Sequence, residues 1–182
     1  MIIIGVIAVI AIIIIWFIVT YNNFVALRNK VKEGYSTIDV FLKKRYDLIS
    51  NIVETVKGYA KHEKETLNEV IKARGNALGS SEENRAEKEG ELTRALGKLL
   101  MLTENYPDLK ADKQFLNLQE QLKVIESEIE RSRRYYNGVV KEMNVAVEKI
   151  PSCLVASLCN FKTEKYFEIT NNEERNNVKI QF

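Results

Sequence analysis

Proline is nearly absent from this chain: its 182 residues include two, and neither lies between Met1 and Tyr106. Glycine is as scarce where it would matter, with Gly34 and Gly58 alone between Val6 and Arg74. Little in that stretch can therefore stop a helix. Histidine occurs once, as His62, which excludes any two-histidine metal site, including the zinc-protease pair of which His62-Glu63-Lys64-Glu65 has one half. Cys153 and Cys159 are too few and wrongly spaced for a zinc cluster or a disulfide framework, and they are expected to be free, partly buried thiols. A cysteine–histidine nucleophile pair would have to join one of them to His62, and nothing else of such a site accompanies them. An excess of one charge is also missing. Charged residues make up 29% of the chain, yet the formal balance is +2, so no global polycation is available to collect nucleic acid. No Gly-x-Gly-x-x-Gly, Walker or Gly-x-Ser-x-Gly word occurs. The sequence thus nominates no catalytic residue, no cofactor or metal ligand and no small-molecule substrate, and the expectation is a protein that is not an enzyme.

Apolar periodicity is present in abundance. Residues 2–21 are almost uninterrupted isoleucine, valine and alanine, and at ~1.5 Å per residue such a run spans a ~30 Å hydrocarbon layer. It reads as a retained transmembrane helix and not a cleaved leader, since no lysine or arginine precedes it and no small-x-small site follows. Trp16 and Tyr21 fall toward its end as interfacial rings, and Arg28, Lys30 and Lys32 follow within a dozen residues against a single Glu33. Those cations predict an external N-terminus and a body in the cytoplasm, facing the inner side of a plasma membrane. The lipid bilayer is the partner expected along residues 2–21.

Beyond the membrane segment, Val31, Tyr35, Ile38, Leu42, Tyr46, Ile49, Val53, Val56, Ala60, Leu67 and Val70 alternate by threes and fours, with only the Glu63 step missing. That seam predicts one long amphipathic helix ending near Arg74-Gly75. The run Lys43-Lys44-Arg45 beside it reads as a solvated face. Ser80 and Glu83 have the form of a capping box that opens a second helix carrying Leu92, Ala95, Leu96 and Leu99, which Pro107 terminates. A third helix is expected from about Asp112 to Ile150, with Phe115, Leu118, Leu122, Ile125, Ile129, Tyr136, Val140, Met143, Val147 and Ile150 on its seam, and a short fourth between Cys153 and Phe161. Polar stripes accompany the first and third helices. From them Asp47, Asn51, Glu54, Glu130, Arg133 and Asn137 are candidates for an inter-helix network in which Arg133 pairs with a first-helix carboxylate.

The words IDVFLKKRYDLISNIVETVKGYAKHEKETL at 38–67, ENYPDLKA at 104–111, FLNLQEQL at 115–122 and RYYN at 134–137 closely resemble the LemA family of bacterial membrane-anchored proteins. Ser50 stands where the family usually has proline, Tyr35 where tryptophan is common, and Met143-Asn144 where a second Tyr-Asn is usual. The resemblance implies a single membrane helix with a helical bundle and supplies no established activity.

The expected architecture is all-α. A transmembrane helix (1–21) leads into an antiparallel bundle (22–161) of three long helices and one short, followed by an extended tail (162–182) in which Tyr166–Ile169 and Val178–Phe182 read as strand-like. The first helix outruns the second, so part of its seam should lack an intramolecular partner. That points to a homo-oligomeric scaffold. The alternatives are an adaptor or regulatory module binding another membrane protein, or a membrane-shaping protein by analogy with relatives of the family in membrane-invagination systems.

Overall fold

The structure is a computed structural model describing residues 1–82 and 84–168. Among the described residues it is all-helical: α1 (Ile2–Tyr59), α2 (Lys64–Leu78), α3 (Arg85–Thr103), α4 (Pro107–Lys110), α5 (Lys113–Glu148) and α6 (Ser152–Leu158). The chain forms two compact units. The first comprises Met1–Ile38 and Glu130–Tyr166, the second Asp39–Ile129 with Phe167 and Glu168.

In the second unit α1 stops at Tyr59, not at Arg74 as expected. Neither proline nor glycine occupies the break. The Ala60 N–H makes the last helical bond to Val56, the Glu63 N–H closes a turn on the Ala60 carbonyl, and α2 restarts at Lys64. The Tyr106 hydroxyl donates to Glu63 Oε1 across 3.2 Å and holds the turn. The chain reverses because α1 has more than one apolar stripe here: Ile52 is buried alongside Ile49, Val53 and Val56, so the helix needs neighbours on two sides. α2 supplies one of them by folding back, with Arg74 Nε donating to the Tyr46 carbonyl at 2.8 Å. α3 packs on α2, and Lys98 pairs with Glu69 between them. The second unit is therefore a four-segment antiparallel arrangement of α1, α2, α3 and α5. The expected unpartnered length of seam is not found: Leu42, Tyr46, Ile49, Val53, Val56, Ala60, Leu67 and Val70 are all buried.

The connection before α3 also departs from expectation. The helix begins at Arg85 behind Asn84, and the Ser80 hydroxyl donates to the Ala77 carbonyl, closing α2 instead of opening α3. Glu83 lies outside the described residues. α5 starts on a genuine side-chain cap, the Phe115 N–H donating to Asp112 Oδ1 at 2.8 Å. The Tyr59 hydroxyl donates to Asp112 Oδ2 at 2.9 Å.

The Phe115 N–H, followed by the Tyr59 hydroxyl, holds the Asp112 carboxyl below its ordinary 3.8. A carboxyl depressed in the folded state adds stability above its unfolded value, and that stability is lost as pH falls through the folded one. Asp112→Asn, which retains a capping oxygen, should accordingly flatten the acid limb of stability below about pH 4 while leaving helicity at neutral pH nearly unchanged. Thermal melts followed by circular dichroism across that range check it, and an unaltered acid limb would refute the assignment.

The first unit joins the start of α1 to the end of α5 and to α6. Phe24, Leu27, Val31 and Ile38 of α1 are buried, as are Tyr136, Val139, Val140 and Met143 of α5 and Val155 and Ala156 of α6. Gly34 marks the closest approach, because a Cβ there would stand 3.4 Å from the Tyr136 Cα. α6 ends in a Schellman motif: Asn160 adopts φ 56°, its N–H faces the Ser157 carbonyl, and the Phe161 N–H donates to Ala156 at 2.9 Å. That turn lays the Phe161 ring on Phe24, stacked at 4.8 Å, and edge-on to Tyr21 at 5.7 Å. The chain from 162 then runs back along α5 without helix. The Asn144 side chain exchanges two hydrogen bonds with the Glu164 backbone, and the Tyr136 hydroxyl donates to the Lys165 carbonyl. Ile150, expected on the α5 seam, is exposed beyond the helix end. Ile169 and Val178–Phe182 lie outside the described residues.

Candidate functional site: a buried charge network and an open groove

The largest fully buried side chain in the second unit belongs to a cation. Arg45 is 1% exposed, which corrects its reading as part of a solvated face; Lys43 and Lys44 do face solvent. It begins a second α1 stripe, Arg45, Ile49, Ile52 and Val56, spaced by 4, 3 and 4. Arg45 Nη1 donates to Glu89 Oε2 of α3 at 2.6 Å, and Nη2 donates to Thr93 Oγ1 at 2.9 Å. Its Nε stands 2.7 Å from Glu126 Oε1 of α5, close enough for an ion pair but without hydrogen-bond alignment. Glu89 is likewise 1% exposed, and its second oxygen accepts from the Tyr46 hydroxyl.

Burial, then the hydrogen bond to Glu89 and the charge of its carboxylate, push the Tyr46 phenol far above its ordinary 10.0, with Arg85 and Arg45 opposing weakly. The phenol therefore stays a donor throughout the physiological range. The arrangement is closed, with donors and acceptors spent largely on one another. Its chemical capacity is to fix the register of α1, α3 and α5.

The candidate residues named from the polar stripes lie elsewhere. Asp47, Asn51 and Glu54 are exposed in the second unit, Glu54 standing 3.6 Å from Lys57. Glu130, Arg133 and Asn137 belong to the first unit, where Glu130 accepts from Arg134 one turn on. Arg133 and Asn137 are half-buried. Among the interfacial candidates Tyr21 meets Phe161 and the Arg28 guanidinium lies 5.3 Å over the same ring, while Lys30 and Lys32 are exposed and Trp16 is half-exposed.

Asp47 and Asn51 share an open groove of about 420 Å³ with Lys44 and Leu48 of α1 and with Asn117, Glu120, Gln121, Val124 and Ile125 of α5. Leu48, Val124 and Ile125 form an apolar floor, and Val124 is 52% exposed. Rim charges of both signs and three amides surround it.

Glu89 was invisible to a search for polar stripes because it sits on an apolar one. Its spacing with Leu92, Leu96 and Leu99 is 3, 4 and 3, which places a carboxylate on the core face of α3. That spacing was the available signal.

An apolar segment long enough to cross a membrane, running without a break into a helical body held by a buried ion network, defines a class of helical proteins suited to membrane anchoring. Residues 34–182 match the LemA family, and the chain belongs to it. It is also similar to the magnetosome protein MamQ 1 of Paramagnetospirillum magneticum, at 23% identity over 81% of this chain and 64% of that protein. MamQ of Magnetospirillum gryphiswaldense is 24% identical over the same shares. Protein LemA of Metamycoplasma hominis is 26% identical over 68% of this chain and 57% of its own. The chain thus spans less than two thirds of the length of these curated relatives.

Proposed function

We propose that this chain is a non-enzymatic, membrane-anchored helical scaffold that assembles with itself at the inner face of the bacterial plasma membrane. Residues 2–21 cross the bilayer, and the helical body lies in the cytoplasm. The orientation is supported by Arg28, Lys30 and Lys32 on the body side of the apolar segment.

The observation that carries self-association is the groove between α1 and α5. Its floor is apolar, and its rim sets Lys44 beside Asp47 and opposite Glu120. A rim carrying both signs can meet a copy of itself related by a two-fold axis, each cation finding an acid. The seam itself is covered within the chain, so the oligomer is built on this groove and not on surplus seam.

The rival reading is an adaptor for another membrane protein, or a protein that shapes membranes.

Light scattering on the detergent-solubilised full chain beside a chain starting at Asn22 separates these readings. A shared defined oligomer, reduced to monomer by the floor substitution Val124→Glu, is the expected result. An oligomer confined to the full chain would assign assembly to the apolar segment, and monomers throughout would overturn the scaffold.

A further inference from the structure

We infer that the corner between α5 and α6 is a second membrane contact, with Ile150, Leu154 and Leu158 entering the headgroup–acyl boundary beside the emerging α1 helix. This rests on the reading of residues 2–21 as the membrane span and adds a lipid-binding surface to it.

The observation is an apolar stripe that none of the described residues covers. Ile150, Leu154 and Leu158 are 80%, 66% and 76% exposed, and they recur every fourth residue through the corner. Val155 and Ala156 on the same short helix are buried, so α6 is apolar on both its inward and its outward sides. A soluble helix at a surface turns polar residues outward.

The height of that stripe follows from the packing of α1 on α5. In the second unit Tyr59 bonds Asp112 and Arg45 meets Glu126, so fourteen residues back along α1 correspond to fourteen forward along α5: the two run antiparallel. In the first unit Tyr35 meets Tyr136 ring to ring. Fourteen residues before Tyr35 is Tyr21, and fourteen after Tyr136 is Ile150. The corner therefore comes level with Tyr21, which closes the apolar segment with an amphipathic ring of the kind that settles at the membrane interface. Phe161 confirms the height independently, since it touches both Tyr21 and Phe24.

Charge agrees with an anionic leaflet. Lys149 and Lys162 are exposed at the two ends of the corner, and Arg28 lies over Phe161. Glu148 and Glu164 are the acids nearest in sequence. Seven residues are too few to bind a bilayer alone, but docking on α1 holds them at the interface, and the tether replaces intrinsic affinity.

Trp16 is the only tryptophan, which makes the full chain its own control. The test uses liposomes containing phosphatidylglycerol and phosphatidylcholine brominated near either the headgroup or the middle of the acyl chain. Trp16 in the unaltered chain reports the span. Leu154→Trp and Leu158→Trp, each combined with Trp16→Phe, report the corner, and Met101→Trp on exposed α3 in the same background reports water. The expected result is quenching of both corner reporters by the shallow bromines, with iodide quenching several-fold weaker than at Met101→Trp. If the corner reporters are as open to iodide as Met101→Trp while Trp16 is quenched by lipid, the inference fails and the anchor stands. Protection from both iodide and bromine would put a second copy of the chain there and overturn it. Failure of brominated lipid to quench Trp16 would overturn the anchor itself.

Discussion

Glu89→Ala is expected to lower the thermal midpoint of the detergent-solubilised chain by roughly 10 °C. The substitution leaves the Arg45 guanidinium in a site where it is 1% exposed, without its closest carboxylate, and strips the Tyr46 hydroxyl of its acceptor. Removing one partner of a buried pair costs on the order of 3–5 kcal/mol, because a charge already taken out of water loses its compensation. For a chain of this size each kcal/mol shifts the midpoint by about 2–4 °C. Glu126 offsets part of the loss, since it already stands 2.7 Å from Arg45 Nε and keeps contact with solvent.

The companion experiment replaces both ends, Glu89→Leu with Arg45→Met. Packing then substitutes for the ion pair, the remaining penalty is an unsatisfied Tyr46 hydroxyl worth roughly 1–3 kcal/mol, and most of the lost stability should return. Circular dichroism melts of the singles and the double form the cycle. A double variant no better than the worse single would show that the network does more than neutralise itself.

The second large effect is expected at Phe161, which is buried and stacks on Phe24. Phe→Ala in a packed site costs about 3–5 kcal/mol. Here the loss falls on the docking of α6, because the Schellman turn at Asn160 is what lays the Phe161 ring against α1. Cys153 in the first turn of α6 and Cys159 at its C-cap are free, half-buried thiols, so they report its opening. If local opening becomes easier by ~3 kcal/mol, their reaction with an aromatic disulfide reagent should quicken on the order of a hundredfold. Unchanged thiol kinetics would mean that α6 is held by Val155 and Ala156 alone.

The helices were legible wherever apolar residues kept a regular step. The seam of α5 is buried as expected from Phe115 to Met143 except at Ile125, which lines the open groove, and the α6 segment lies where a short apolar run after Pro151 suggests. The reversal after Tyr59 is not legible because a helix is usually ended by proline or glycine, and this one ends on Ala60-Lys61-His62-Glu63. The sign was there as the single missing step of the seam at Glu63, which the structure turns into a hydrogen-bonded corner.

The buried network is hidden in the sequence for a different reason. A charge run such as Lys43-Lys44-Arg45 is normally solvated on all sides, and only the angular position of Arg45, one turn before Ile49, separates it from its neighbours. Burying it required an acid at the matching height on a helix distant in sequence, a coincidence that periodicity within one helix does not reveal.

The division of the first unit between the two ends of the chain sets an order on synthesis. The second unit draws on the continuous stretch Asp39–Ile129, whereas the first must wait for Glu130–Tyr166. At about 5–20 residues per second that stretch takes roughly two to seven seconds to synthesise. Throughout it Phe24, Leu27, Val31 and Ile38 have no partner to cover them. A nascent chain is thus left with an uncovered apolar collar, open to chaperones or to neighbouring nascent copies, until α5 and α6 emerge to close over it.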